Sequence, residues 1–195
     1  MKKIGILLIV IVLGFACLTS PVKKYYQIFL PTNQEVSSAQ IDKTIYIDRI
    51  PTQSFYDNFE IVYRDSPYQL NYYSYHFWAE KPGSLIRNSI YEYFKKNRIF
   101  SKTIIDLSSG EPDFSLRARI RSIEEEDRQE AWFARLSMEI EIVDFKTQEI
   151  VYSHEFDRME KMPGMDIVYL PVVLSQILRE ELTALIDWLS EKSSG

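Results

Sequence analysis

Residues 45–94, IYIDRIPTQSFYDNFEIVYRDSPYQLNYYSYHFWAEKPGSLIRNSIYEYF, decide how the rest of the chain is read. The run opens on alternation, with Ile45 and Ile47 on one face of a strand and Tyr46 and Asp48 on the other. Pro51 ends that strand, because proline has no N–H to give to a ladder. Phe59–Tyr63 and Gln69–Tyr73 resume the extended pattern on either side of Asp65-Ser66-Pro67, which predicts a hairpin. The pattern then changes period. Leu85, Ile86, Ile90, Tyr93 and Phe94 recur at helical spacing, predicting a helix over Pro82–Asn97. Proline is tolerated in the first turn, and Lys95, Lys96 and Arg98 complement the dipole at the far end.

Downstream, Ile104, Ile105 and Leu107 predict a short strand, and three long strands with cleaner alternation follow. Phe114, Leu116, Ala118 and Ile120 oppose Arg117, Arg119 and Arg121. Trp132, Ala134, Leu136, Met138, Ile140 and Ile142 oppose Arg135, Ser137, Glu139 and Glu141. Ile150, Tyr152, His154 and Phe156 oppose Ser153, Glu155 and Asp157. One buried and one wet face mark an antiparallel meander, with turns at Glu124–Gln129 and Lys146–Gln148. A last amphipathic helix over Val172–Glu191 carries the stripe Leu174, Leu178, Leu182, Leu185, Leu189. Upstream, Tyr25–Leu30 reads as a first strand closed by Pro31, and Thr32–Lys43 as a loop. The expected fold class is α+β, a two-layer sandwich: a mostly antiparallel sheet of about five strands with two helices on one face.

The N-terminus predicts an address. Lys2 and Lys3 precede an apolar run, Ile4–Ala16, too short to span a bilayer core but suited to a secretory signal. Cys17, the only cysteine in 195 residues, follows directly. A lone Cys after such a run resembles a bacterial lipobox, in which the thiol is diacylated and the segment before it removed. The alternative is an uncut signal anchor with an incidental buried Cys. The expected division is 1–16 signal peptide, 17–24 lipidated tether and 25–192 one α+β domain. Beyond Cys17 no thiol remains, which suits an oxidising compartment. Loss of Lys2 and Lys3 leaves 21 basic against 28 acidic residues, a net charge near −7. That balance argues against nucleic acid as a partner.

Candidate chemistry is sparse. His76 and His154 have no ligand-spaced partners, so no metal and no cofactor are expected. His154 falls in the apolar register of its strand and reads as a core histidine. No Gly-x-Ser-x-Gly elbow and no Gly-rich phosphate loop appear among only six glycines. The run Glu124-Glu125-Glu126-Asp127 reads as a solvated turn rather than a cation site. The stripe Arg117, Arg119, Arg121 is either a wet face balanced by Glu139 and Glu141 or a surface for lipid head groups or an acidic partner. The aromatic residues Tyr72, Tyr73, Tyr75, Phe77 and Trp78 cannot all share one face of an extended segment. Either Tyr72, Tyr73, Tyr75 and Trp78 supply a partner interface, where Tyr and Trp are enriched, or Tyr73 and Trp78 pack beneath the following helix. An enzyme is not expected.

The order Ile45–Pro51, then Glu60-Ile61-Val62-Tyr63-Arg64, then Tyr72 and Tyr75, then Phe77-Trp78-Ala79-Glu80-Lys81-Pro82 and a helix resembles the ABC-type transport auxiliary lipoproteins, the PqiC-like group. A lipobox upstream and the first strand at Tyr25-Tyr26-Gln27-Ile28 complete the likeness. The resemblance implies a non-enzymatic lipoprotein anchored through Cys17. Leu18, in place of the Asp that retains lipoproteins in the inner membrane, implies the outer membrane, facing the periplasm of a Gram-negative cell. The implied partners are an MCE-domain protein with its ABC permease and ATPase, and further copies of the chain in a homo-oligomer. The runner-up is an assembly factor for an outer-membrane protein or polysaccharide export machine, and a small lipoprotein hydrolase comes third.

Overall fold

The computed structural model describes residues 21–31, 40–128 and 130–193; the predicted signal segment and Cys17 lie outside them. The elements run β1 (Lys24–Tyr26), β2 (Ile41–Ile47), β3 (Glu60–Ser66), β4 (Gln69–Trp78), α1 (Pro82–Lys96), β5 (Phe100–Ile104), β6 (Phe114–Arg128), β7 (Ala131–Asp144), β8 (Ile150–Lys161) and α2 (Tyr169–Ser193). Single 3-10 turns occupy Ser54–Tyr56 and Leu107–Ser109.

β6 is the spine. On one edge β7 pairs with it antiparallel from Phe114↔Asp144 to Arg128↔Ala131, and β8 extends that meander. The other edge is divided. β2 lies parallel to the start of β6 and β3 parallel to its end, at Ile45↔Phe114 and Val62↔Glu124. Between them the chain never leaves β6: Asp48 N donates to Leu116 O, Ile120 N to Pro51 O, and Gln53 N to Ile120 O. Pro51 therefore forfeits only its own N–H and keeps the course of the strand. β5 adds beside β2 in parallel, β4 beside β3 antiparallel, and β1 beside β4 in parallel.

The sheet is thus a curled, mixed one of eight strands, which corrects the expected five mostly antiparallel strands. The meander and the hairpin stand as read. The parallel pairs arise because β2 and β3 are two sections of one course along β6, and because the connection through α1 returns β5 beside β2 in the same direction, as helical crossovers do. Strand limits shift too: β1 stops at Tyr26 rather than Leu30, β2 begins at Ile41 inside the expected loop, and β5 starts at Phe100.

Both helices pack on the sheet as their stripes require. Leu85, Ile86, Ile90, Tyr93 and Phe94 of α1 and Leu174, Leu178, Leu182, Leu185 and Leu189 of α2 are all buried in one contiguous core. The segment after β1 ties the two together. Ile28 O accepts from Ser89 Oγ on α1, while Phe29 N donates to Ser175 Oγ on α2. Arg87 of α1 donates to the carbonyls of Ile47, Asp48 and Ile105, closing the end of β2. α1 begins so close to the Ile50–Thr52 segment that a Cβ on Gly83 would collide with the Ile50 carbonyl oxygen.

Candidate functional site

The aromatic run of β4 is the surface for which the sequence leaves two readings, a partner interface or packing beneath α1. Its geometry follows from an irregularity: Glu60 pairs with Phe77 and Val62 with Tyr72, so β4 spends five residues where β3 spends two. That bulge re-aims side chains. Trp78 enters the core and is 1% exposed. Tyr73 is half-buried, its ring against those of Tyr63 and His76. Tyr72 and Tyr75 remain exposed at 39% and 44%. Tyr72 is nevertheless fixed: it stacks on Phe55 at 4.6 Å between centroids, and its hydroxyl donates to Phe55 O at 2.8 Å and accepts from Asn58 Nδ2. The three tyrosines and one tryptophan of the candidate interface therefore divide into two that reach solvent and two that anchor the strand behind them.

What they anchor to overturns the reading of residues 124–127 as a solvated turn. β6 continues through them to Arg128, and the Glu124 and Glu125 side chains are buried. Burial of a carboxylate requires donors. Glu124 accepts from Tyr56 Oη at 2.7 Å and from Arg64 Nε at 3.1 Å, with Arg135 Nη1 at 3.6 Å. Arg135 is held in turn by Asp157 through two hydrogen bonds. The 3-10 turn Ser54–Tyr56 is what lowers Tyr56 onto this carboxylate. Burial, then the bond to Glu124, pushes the Tyr56 phenol well above its usual range.

Glu125 points to the other face and has no cation paired with it among the described residues. The register of β6 against β7 slips between Ile120 and Ser122, so beyond the slip Ile123 and Glu125, opposite Leu136 and Ala134, take the core side. Tyr73 Oη lies 3.0 Å from both Glu125 oxygens. Burial raises the Glu125 carboxyl to about 7, the Tyr73 bond opposing and the Asp127 charge adding. Beyond Tyr73 the row continues to His76, whose Nδ1 shares a 2.8 Å hydrogen bond with Tyr26 Oη on β1. A signal for the slip was present in the sequence: Ile120 and Ile123 are three apart, which breaks the parity of an alternating strand.

The arginine stripe falls where alternation placed it, and His154 does not. Arg119 and Arg121 pair with Glu139, and Arg121 also with Glu155, on the wet face of the meander. His154 is only partly buried rather than a core residue; its Nε2 is 2.8 Å from Glu181 of α2. Among the described residues no three of His, Cys, Asp and Glu stand together as a metal set, and no helix is long and apolar enough to cross a membrane. An open cleft of about 870 Å³ lies beside the hairpin end, lined by Arg64, Pro67, Glu126, Arg128, Arg135 and Met165 among others.

Relatives of the chain carry the same architecture. A Xanthomonas campestris protein of the DUF330 family superposes with a TM-score of 0.76 at 16% identity, covering 88% of this chain and 98% of that one. A second, uncharacterized protein superposes at 0.67 and 14% identity, covering 85% and 97%. The PelC dodecamer subunit from Paraburkholderia phytofirmans is similar at 0.50 and 11% identity over 75% of this chain and 92% of its own. No curated protein sequence matches the chain. The model of the ABC-type transport auxiliary lipoprotein component family matches residues 26–184, from the last residue of β1 to the middle of α2. The chain belongs to that family, as the layout of residues 45–94 implied.

Proposed function

We propose that this chain is the non-enzymatic, lipid-anchored auxiliary component of an MCE-type lipid transport system, held at the outer membrane and facing the periplasm. In this reading residues 1–16 are removed, Cys17 is acylated, residues 17–24 form the tether, and 25–192 form the working domain. The MCE-domain protein docks on the β4 hairpin, with its ABC permease and ATPase beyond, and the chain works as a homo-oligomer.

The observation that carries the reading is the β4 hairpin itself. Tyr72 and Tyr75 offer aromatic surface to solvent, while Tyr73 and Trp78 of the same strand fasten it to the core. Exposed aromatic groups held rigid lose little side-chain entropy on docking, which is what an interaction surface needs. Membership in the auxiliary family supports transport as the context.

The test is cross-linking of the full-length, tagged chain in cells, followed by capture and identification. The expected result is recovery of an MCE-domain protein with the native chain and its loss in Tyr75→Asp, with the amount of folded chain unchanged. Recovery from both Tyr72→Asp and Tyr75→Asp equal to that from the native chain rejects this surface, and recovery of outer-membrane export components instead rejects the transport reading.

A further inference from the structure

Three tips gather at one end of the molecule. β3 runs parallel to β6 with Arg64 opposite Glu126, so the β3–β4 turn lies beside the β6–β7 turn. β8 ends opposite Phe133, which brings the 162–168 connection to the same place. Apolar groups stand out there. Tyr68, in the β3–β4 turn, is 98% exposed, and Met165 and Val168 are 55% and 47% exposed. Pro67 and Met165 border the same cleft.

The chain enters the domain facing this end. β1 is parallel to β4, with Lys24 opposite His76 and Tyr26 opposite Trp78. Traced backward, β1 therefore points along β4 toward its start, at the Tyr68 turn. Six residues separate Cys17 from Lys24, and the seven Cα–Cα steps between them span at most about 25 Å. From His76 back to Tyr68 is a similar length of strand. A tether of that length lets an anchor at Cys17 hold this end of the domain against the membrane.

We infer that the surface formed by Tyr68, Met165 and Val168 rests on the bilayer that holds the N-terminal anchor, making a second, apolar contact with it. The inference rests on the anchor assigned to Cys17 above. A phenol at the headgroup level and a thioether just beneath suit that depth. We take the bilayer as zwitterionic because, among the described residues, the arginines that line the cleft, Arg64, Arg128 and Arg135, are already paired with Glu124, Glu126 and Asp157. One such contact is weak alone, and the tether supplies the effective concentration that makes it count.

The experiment uses the full-length chain expressed with its processing intact, reconstituted in phosphatidylcholine vesicles. With Cys17 blocked by acylation, Tyr68→Cys, Met165→Cys and Ile150→Cys each offer one thiol for an environment-sensitive fluorophore. Ile150 is 56% exposed and sits at the opposite end of the meander, so it is the control. The expected result is quenching by doxyl-labelled acyl chains at positions 68 and 165 about twofold or more above that at 150, since interfacial groups sit within about 10 Å of the acyl boundary. High salt should leave it unchanged. Equal quenching at all three positions, quenching at 150 alone, or none anywhere overturns the inference. The mass of the mature chain separates the two failures: an acylated but unquenched protein sinks this contact only, whereas an unacylated one sinks the anchor and the contact together.

Discussion

The two halves of β6 lie on one strand and live in opposite surroundings. In the first, Arg119 and Arg121 reach water and meet Glu139 and Glu155 across the meander. In the second, Glu124 and Glu125 are buried at 0% and 1% exposure. The register slip between Ile120 and Ser122 turns Glu125 to the core side, and what covers the strand makes the rest of the difference. The outer face of the first half is left open, whereas the turn at Ser54–Tyr56 and the β3–β4 hairpin close over the second, bringing Tyr56, Arg64 and Tyr73. Charge in a strand is therefore no guide to exposure; what folds over it decides, and each carboxylate so covered must be given its donors.

The sharpest way to break that contrast is to take the cation from Glu124. Arg64→Met keeps the length of the stem and removes the guanidinium, leaving a buried carboxylate with Tyr56 and the more distant Arg135. Stranding a buried charge costs about 3 kcal/mol or more. Urea unfolding should show it as a lowered midpoint at unchanged slope, and a midpoint equal to the native one would refute the pairing.

Glu125 comes next, because it is a buried acid with no cation paired with it among the described residues. Below pH 4.5 folded and unfolded states both hold its proton and nothing is lost. Between 4.5 and about 7 the unfolded chain releases the proton while the folded chain keeps it, so stability falls as pH rises. Above 7 the loss is complete, at about 3 kcal/mol. Glu125→Gln should remove this fall and leave the variant more stable than the native chain at pH 8. A native chain equally stable at pH 5 and pH 8, after correction for its other carboxylates, contradicts the assignment. Tyr73→Phe acts in the opposite sense by withdrawing the bond that opposes the upward shift. Its expected cost is about 1–2 kcal/mol at pH 8 and less at pH 5, and equal costs at both would count against the Tyr73–Glu125 contact.

The same contrast explains what could be read from the residues. Both helices came through to within a few residues of their ends, because each stripe faces a single core and the period survives. The meander came through for the same reason, one dry face against one wet one. The hairpin's existence was legible from Asp65-Ser66-Pro67, but not the bulge that turns Trp78 inward and leaves Tyr75 outside. Pairing direction was illegible as well. Ile45–Ile50 and Phe59–Tyr63 look like two strands free to pair with anything, and only the hydrogen bonds of Ile120 to the Pro51 segment show one continuous course. Glu124 and Glu125 were lost because a run of four acids is scored as solvated unless the covering turn is known, and Ser54–Tyr56 carries no helical or strand period of its own.

The smallest effect is expected at Arg121, and it completes the comparison because nothing covers that face. Arg121 meets two carboxylates, more partners than Glu125 has, so a count of ion pairs would rank it among the more important charges of β6. Physical reasoning ranks it last. Its side chain is 45% exposed, Glu155 is 56% exposed, and in water a pair gains little over its separately hydrated charges. Arg121→Ala should move the urea midpoint by less than about 0.3 M, and whatever it moves should shrink further in high salt because exposed charges are screened. The Arg64→Met loss, set by a carboxylate that water does not reach, should persist under the same salt. If both variants respond to salt alike, the two halves of β6 do not differ in solvent access, and the explanation offered for the buried pair fails with them.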